Sequence, residues 1–133
     1  MLQAYSENVT FDEQSPIAFN NIKTLKGKSA SLQGVSTIVF NECGLYKVTI
    51  NGSMLASAAG LNKIQLYRNG VADPGGQVSF TAVEGSTTSF SFETTIQAEP
   101  NNPCPCSIPT IISVNNGDIS GMGYINIVVD KIC

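Results

Sequence analysis

The chemistry available to this sequence is concentrated in four cysteines, Cys43, Cys104, Cys106 and Cys133. Two of them flank Pro105 in the stretch NNPCPCSIPT. Four thiolates suffice for a tetrahedral zinc site, four thiols for two disulfides, and an activated pair for thiol exchange. Spacing separates these options. Structural zinc usually takes paired cysteines with two residues between them, and Cys-Pro-Cys has one. A redox centre needs a thiol beside a helix N-terminus or a basic residue, usually within C-x-x-C. A bond between Cys104 and Cys106 would close a small strained ring, so disulfides would join each to Cys43 or Cys133. Two disulfides fit this arrangement best, each contributing about 2–4 kcal/mol by closing a long loop. Free buried thiols, a metal site formed by Cys43, Cys104, Cys106 and Cys133, and a redox centre are the alternatives. Disulfides would place the working protein outside the reducing cytosol.

Other chemistry is scarce. The chain of 133 residues contains no histidine and no tryptophan, which removes the commonest general base and a common zinc ligand together. Acidic residues are spread singly along the sequence, and no nucleophile stands with a recognisable base. We therefore expect no enzymatic activity and no cofactor. The stretch NNGDIS matches no calcium-loop pattern and reads as an ordinary turn. Asn8-Val-Thr10 and Asn51-Gly-Ser53 match the glycosylation triplet, which arises by chance in a chain this rich in Asn, Ser and Thr. Gly27 and Gly75-Gly76 read as turn residues.

Composition bounds the partners. Charged residues make up 13% of the chain and the net charge is −3, with seven Lys plus Arg. Nucleic acid is excluded as a partner because phosphate binding needs a clustered basic face. A surface this poor in charge either hides area in an oligomer or works in a harsh extracellular setting. MLQAYSENVTF lacks the basic and apolar runs of a signal peptide, and no segment reaches the roughly 20 apolar residues of a membrane span. The expectation is a soluble product made in the cytoplasm, or one whose targeting stretch lies outside this sequence, with no membrane partner.

The elements that must position the cysteines are strands. YKVTING places Tyr46, Val48 and Ile50 on one face and Lys47, Thr49 and Asn51 on the other. NKIQLYRNG alternates Ile64 and Leu66 against Lys63, Gln65 and Tyr67, then reaches Asn69-Gly70, a hairpin turn signal. QVSFTAV carries Val78, Phe80 and Ala82 on one side, and TTSFSFETTIQ carries Phe90, Phe92, Thr94 and Ile96. SPIAF, ASLQ, STIVF, TIISV and YINIVVDKI read as further strands. SMLASAAGL reads as a strand end followed by a loop. Eight to ten short strands without sustained helical spacing predict an all-β fold, two packed antiparallel sheets in a single domain spanning residues 1–133.

At ECGLYKVTINGSMLASAAGLNKIQLYRNGV the sequence resembles the globular heads of the tumour necrosis factor and complement superfamily. The bacterial and phage versions are the most similar, such as the C-terminal domain of the collagen-like glycoprotein on Bacillus spore surfaces. GMGYINIVVDKI resembles the closing Tyr-containing strand of that family. The MLQAYS start is similar to short cysteine-bearing proteins of phages that infect Gram-positive gut bacteria. The sequence departs from the family in carrying no Gly-X-Y stretch before the head and in adding the cysteines.

The resemblance implies a ten-stranded jelly roll that forms a homotrimer through the outer face of one sheet. Carried onto this chain, that face holds Leu45, Lys47, Thr49, Tyr124, Asn126, Val128 and Asp130, while Ile125, Ile127 and Val129 point inward. Lys47 stands where the family commonly has an apolar residue, and repeated near a threefold axis it needs neutralisation. Asp130 is the expected counter-charge; a solvated Lys47 with no partner is the alternative. The fold also implies that the start of the Gly-Leu-Tyr strand, the end of TTSFSFETTIQ and the end of the final strand meet at one pole. Cys43, Cys133 and the Cys104/Cys106 loop would gather there. The implied function is structural: a phage virion component, as a head decoration or fibre head domain, with itself and other virion proteins as partners. Two alternatives stand beside it: a module whose segments 71–77 or 84–88 bind a surface glycan or receptor, and a spore- or cell-surface protein.

Overall fold

Alternation of apolar and polar residues along extended backbone buries every second side chain, so each strand needs a second layer to cover its apolar side. A computed structural model describes residues 1–27, 29–98 and 110–132. Within them the chain forms ten strands: β1 (Leu2–Phe11), β2 (Asn21–Leu25), β3 (Ala30–Gln33), β4 (Thr37–Phe40), β5 (Gly44–Ala56), β6 (Gly60–Arg68), β7 (Val71–Ala82), β8 (Thr87–Ala98), β9 (Thr110–Asn116) and β10 (Gly121–Lys131). They pair into two five-stranded sheets, ordered β2-β1-β10-β5-β8 and β3-β4-β9-β6-β7. Every pairing is antiparallel. This is the ten-stranded jelly roll that the resemblance implied.

The central strands obey the predicted alternation. Tyr46, Val48 and Ile50 of β5 and Ile125, Ile127 and Val129 of β10 are fully buried between the sheets. Ile64 and Leu66 of β6 meet them from the second sheet with no exposed surface. Asn69 (φ 49°) and Gly70 (φ 82°) form the two-residue turn between β6 and β7. Both lie in the left-handed region, as the hairpin's twist requires. Asn69 does more than turn the chain. Its backbone N–H donates to the Ile111 carbonyl, and its side-chain oxygen accepts from the Ile111 N–H, each at 2.8 Å.

Three readings from the sequence need correction. SPIAF is not a strand; only Pro16 makes an isolated bridge, to Asn115. Proline has no N–H to offer a ladder, and Ile17 and Phe19 are instead buried as a plug over the core. LQAYSENVTF and NIKTL, in contrast, form β1 and β2. Segment 71–77, including Gly75-Gly76, is part of β7 and not a turn or free loop. Tyr67 pairs with Ala72 and Gln65 with Gln77, so residues 73–76 bulge opposite Leu66. A side chain at Gly76 would press on Leu66 and the Asp73 carboxylate.

An aromatic trio bolts the sheets together. Phe90 of β8 meets Phe11 of β1 edge-on at 6.2 Å and stacks on Phe80 of β7 at 5.8 Å. Gly52, opposite Phe90 in the register, leaves the space that the ring fills. A Cβ at position 52 would stand 2.9 Å from the ring and would also strike the Tyr124 carbonyl of β10. Gly52→Ala must therefore part β5 from β10. We expect it to destabilise the fold by about 1–3 kcal/mol, the usual cost of overpacking. Urea titration checks this, through a lowered midpoint at unchanged slope.

Candidate functional surfaces

The pole where strands β5, β8 and β10 end was the sharpest expectation, and the register bears it out as far as it is described. Gly44 pairs with Ala98, and Lys131 pairs with Tyr46. The Ile132 N–H donates to the Leu45 carbonyl at 2.8 Å. Phe40, at the end of β4, pairs with Thr110, so the chain leaves at Ala98 and returns at Thr110 on the same side as Cys43. Of the four cysteines, Cys43 lies within the described residues, half-buried just before β5. Cys104, Cys106 and Cys133 fall outside them, so neither the disulfide pairing nor the four-cysteine metal alternative is described. Among the described residues no cluster of three or more His, Cys, Asp or Glu could hold a metal ion.

Tyr46 organises this pole. Its ring is fully buried and stacks on Phe40 with centroids 4.1 Å apart and planes 9° from parallel. Its hydroxyl lies 2.8 Å from the Glu42 carbonyl and 3.1 Å from that of Ser29, tying the turn before β5 to the start of β3. Burial raises the pKa of Tyr46 above its ordinary value, chiefly by desolvating the phenolate.

The second surface is the outer face of the first sheet, where the seven expected interface residues lie. Lys47, Tyr124 and Asp130 are exposed, Leu45, Thr49 and Val128 are half-buried, and Asn126 is buried. Asn126 accepts a hydrogen bond from the Gln3 side-chain amide at 3.1 Å, which is why a polar residue survives burial there. The counter-charge differs from the expectation. Asp130 sits directly opposite Lys47 in the register, yet Lys47 makes its ion pair with Glu93 of β8, at 3.6 Å. Both side chains are about half exposed, so this pair is screened and adds little to stability. Glu93 also accepts a hydrogen bond from Thr49 at 3.4 Å. The sequence offered no signal for preferring Glu93, because the choice between flanking strands is one of side-chain reach.

Beyond those residues, Leu55 and Met122 are opposite one another in the register and are 47% and 51% exposed. Beside them, Tyr124 is 37% exposed. These three make an uncovered apolar patch at the end of the face away from Cys43. Nothing in the sequence marks Leu55 and Met122 as a pair, because only the register of β5 against β10 brings them together.

A third surface, on the outside of the second sheet, was not foreseen. Its floor is held by buried amides. Asn62 donates to the Asn116 side-chain oxygen at 2.9 Å and accepts from the Ile119 N–H at 3.1 Å. Asn116 donates to the carbonyls of Ile119 at 2.8 Å and Asp12 at 3.2 Å. Gln65 donates to the carbonyls of Leu66, Asp73 and Gly76, at 2.9, 2.8 and 3.2 Å, fixing the β7 bulge. The glycan-binding expectation had rested on segments 71–77 and 84–88. The first lies in β7, and the second is a tight turn (Gly85 φ 77°) running into β8.

Neither a family model nor a curated protein sequence matches this chain. Solved structures do. Eiger TNF from S. frugiperda superposes with a TM-score of 0.72 at 13% identity, over 99% of this chain and 92% of that one. The globular domain of zebrafish complement 1qA protein gives 0.70 at 10% identity, over 99% and 96%. The PRD1 vertex protein P5 gives 0.66 at 14% identity, over 99% and 96%. At these identities the likeness is one of fold, and the fold is the jelly roll of the tumour necrosis factor and complement heads.

The buried Tyr46 hydroxyl makes the pole sensitive to alkali. Above about pH 10, the ordinary tyrosine pKa, the unfolded chain gives up this proton before the folded one does. Folded stability therefore falls as pH rises further. Tyr46→Phe is expected to cost about 1 kcal/mol near neutrality and to lose less than the parent between neutral and strongly alkaline solution. Urea titrations at the two pH values check both; an equal alkaline loss would show that Tyr46 ionises as freely folded as unfolded.

Proposed function

We propose that this chain is a non-enzymatic structural subunit that works as a homotrimer on an exposed biological surface, and that residues 1–133 form its one domain. The observation that carries the reading is the apolar patch of Leu55, Met122 and Tyr124 on the outer face of the first sheet. It is continuous through Asn126 and Thr49 with half-buried Val128 and Leu45. Exposed apolar side chains in adjacent register mark a surface that something covers, and a second copy of the chain is the occupant that the fold's likenesses support. Apart from Lys47, Glu93 and Asp130 toward the other end, the polar residues between, such as Thr49, Asn51 and Asn126, are hydroxyls and amides, which survive threefold repetition better than unpaired charge does.

The setting we favour is a virion surface, as a head decoration or fibre head domain of bacterial or phage type. Its support is the match in fold to a phage vertex protein. A spore or cell surface is the competing setting. Disulfides joining Cys43, Cys104, Cys106 and Cys133 belong to the same reading. The reading rests on the register, which sets Ala98 and Lys131, near the ends of the strands that lead toward the other three, beside the start of β5.

Light scattering coupled to size exclusion is the test of assembly. The expected mass is three times that of the 14.0 kDa chain, and a monomer at micromolar concentration would overturn the trimer. Val128→Asp, which would bring three carboxylates onto one shared face, should shift the mass toward the monomer without unfolding the sheet. The sulfurs have their own test. Peptide mapping without reductant should find Cys43 linked to a peptide carrying Cys104, Cys106 or Cys133, and four freely alkylated thiols would remove the staple.

A further inference from the structure

The outer face of the second sheet carries a groove of about 460 Å³, within the range of about 300–1,000 Å³ typical of ligand sites. Gln65 runs along its floor with Asn115 and Gln77 directly opposite on either side, in one row across three strands. Tyr67 and Lys63 extend the floor in the two directions along β6, and Asp118 stands on the wall, where Gln14 donates a hydrogen bond to it.

We infer that this groove binds a short neutral saccharide. The exposed Gln77 and half-buried Asn115 amides each offer a donor and an acceptor in one plane, the pattern that pairs with adjacent hydroxyls of a sugar ring, while Gln65, its N–H groups committed to backbone carbonyls, holds the floor between them. The half-buried Tyr67 ring adds an apolar surface with a polar tip. Charge in the groove is limited to one cation, Lys63, and one anion, Asp118. An anionic ligand would find no clustered counter-charge there, and an apolar one would find little beyond Leu61 and the Tyr67 ring. The floor is also rigid before any ligand arrives. The Gln65 side chain is 6% exposed and tied to three carbonyls, while buried Asn62 and Asn116 lock the turn that forms the wall. Binding then costs little ordering of the protein. The groove lies on the opposite side of the sandwich from the proposed assembly face, so it belongs to each chain separately and stays open whether or not the chain trimerises.

The test is titration of the ¹⁵N-labelled full chain with lactose, maltose, cellobiose and chitobiose, followed by amide chemical shifts. A saturable response at millimolar sugar, confined to Gln65, Tyr67, Asn115 and their neighbours, is expected for at least one of them. Gln77→Ala, at an exposed position that holds no core contact, should weaken that sugar by about tenfold, equivalent to about 1.4 kcal/mol. Comparing the free disaccharide with the same unit inside an end-blocked polymer separates a soluble sugar from a polymer segment, and a response to either supports the inference. Silence across the panel, shifts mapping elsewhere, equal affinity of Gln77→Ala, or tighter binding of a phosphorylated sugar would each overturn it.

Discussion

The paired ladder of β5 with β10 on one side and β8 on the other is the constraint from which the rest follows. Eleven residue pairs join β5 to β10 and twelve join β5 to β8. With a side-chain period of two, burying Tyr46, Val48, Ile50, Ile125, Ile127 and Val129 leaves no freedom for their neighbours. Leu45, Lys47, Thr49, Tyr124 and Val128 must face outward together. The same register fixes the ends. Once Gly44 is opposite Ala98 and Lys131 opposite Tyr46, the two chain segments that lead toward the remaining cysteines start beside Cys43. A one-residue slip would destroy core, outer face and pole together, which ties the stability of the sandwich to the composition of its surface.

Much of this was legible because strong alternation and a strong turn coincide in β5, β6, β8 and β10. The Asn69-Gly70 hairpin and the burial of Ile64 and Leu66 could be read directly, since both depend on local chemistry. What could not be read has a common physical cause, interruption of the period. In β1, Leu2, Ala4 and Ser6 point inward, but the register shifts between Ser6 and Val9, where Asn8 adopts φ 53°. Val9 and Phe11 then carry on the inward row one step out of phase. The strand therefore fails an alternation test although its ladder is continuous on either side. The β7 bulge hides a strand in the same way, behind Asp73-Pro-Gly-Gly, a string that ordinarily signals a turn.

The buried amides were illegible for another reason. Asn62, Gln65 and Asn116 lie in a chain crowded with Asn, Gln, Ser and Thr, where an amide is unremarkable and defaults to the surface. Their burial is tolerable because every buried side-chain polar atom among the described residues has a hydrogen-bond partner. Most of these partners are backbone carbonyls and N–H groups of irregular segments, the β7 bulge and the turn after β9. Strand ladders leave such groups unpaired, and a side-chain amide can satisfy one as donor and another as acceptor. The sequence places the amides correctly only for a fold whose irregularities are already known.

Low charge links the two faces. Among the described residues the single ion pair, Lys47 with Glu93, is exposed and weak. Polar order here is instead carried by neutral hydrogen bonds: Ser6 with Ala18, Gln3 with Asn126, Asn62 with Asn116, Tyr46 with Glu42. Neutral groups cost less than ions to move out of water, so a surface built of them can be covered by a copy of itself, or by a hydroxyl-rich ligand, without a large desolvation penalty. A charged surface would gain solubility and lose that option. On the two readings proposed above, the low charge of this chain suits a sandwich covered on both sides.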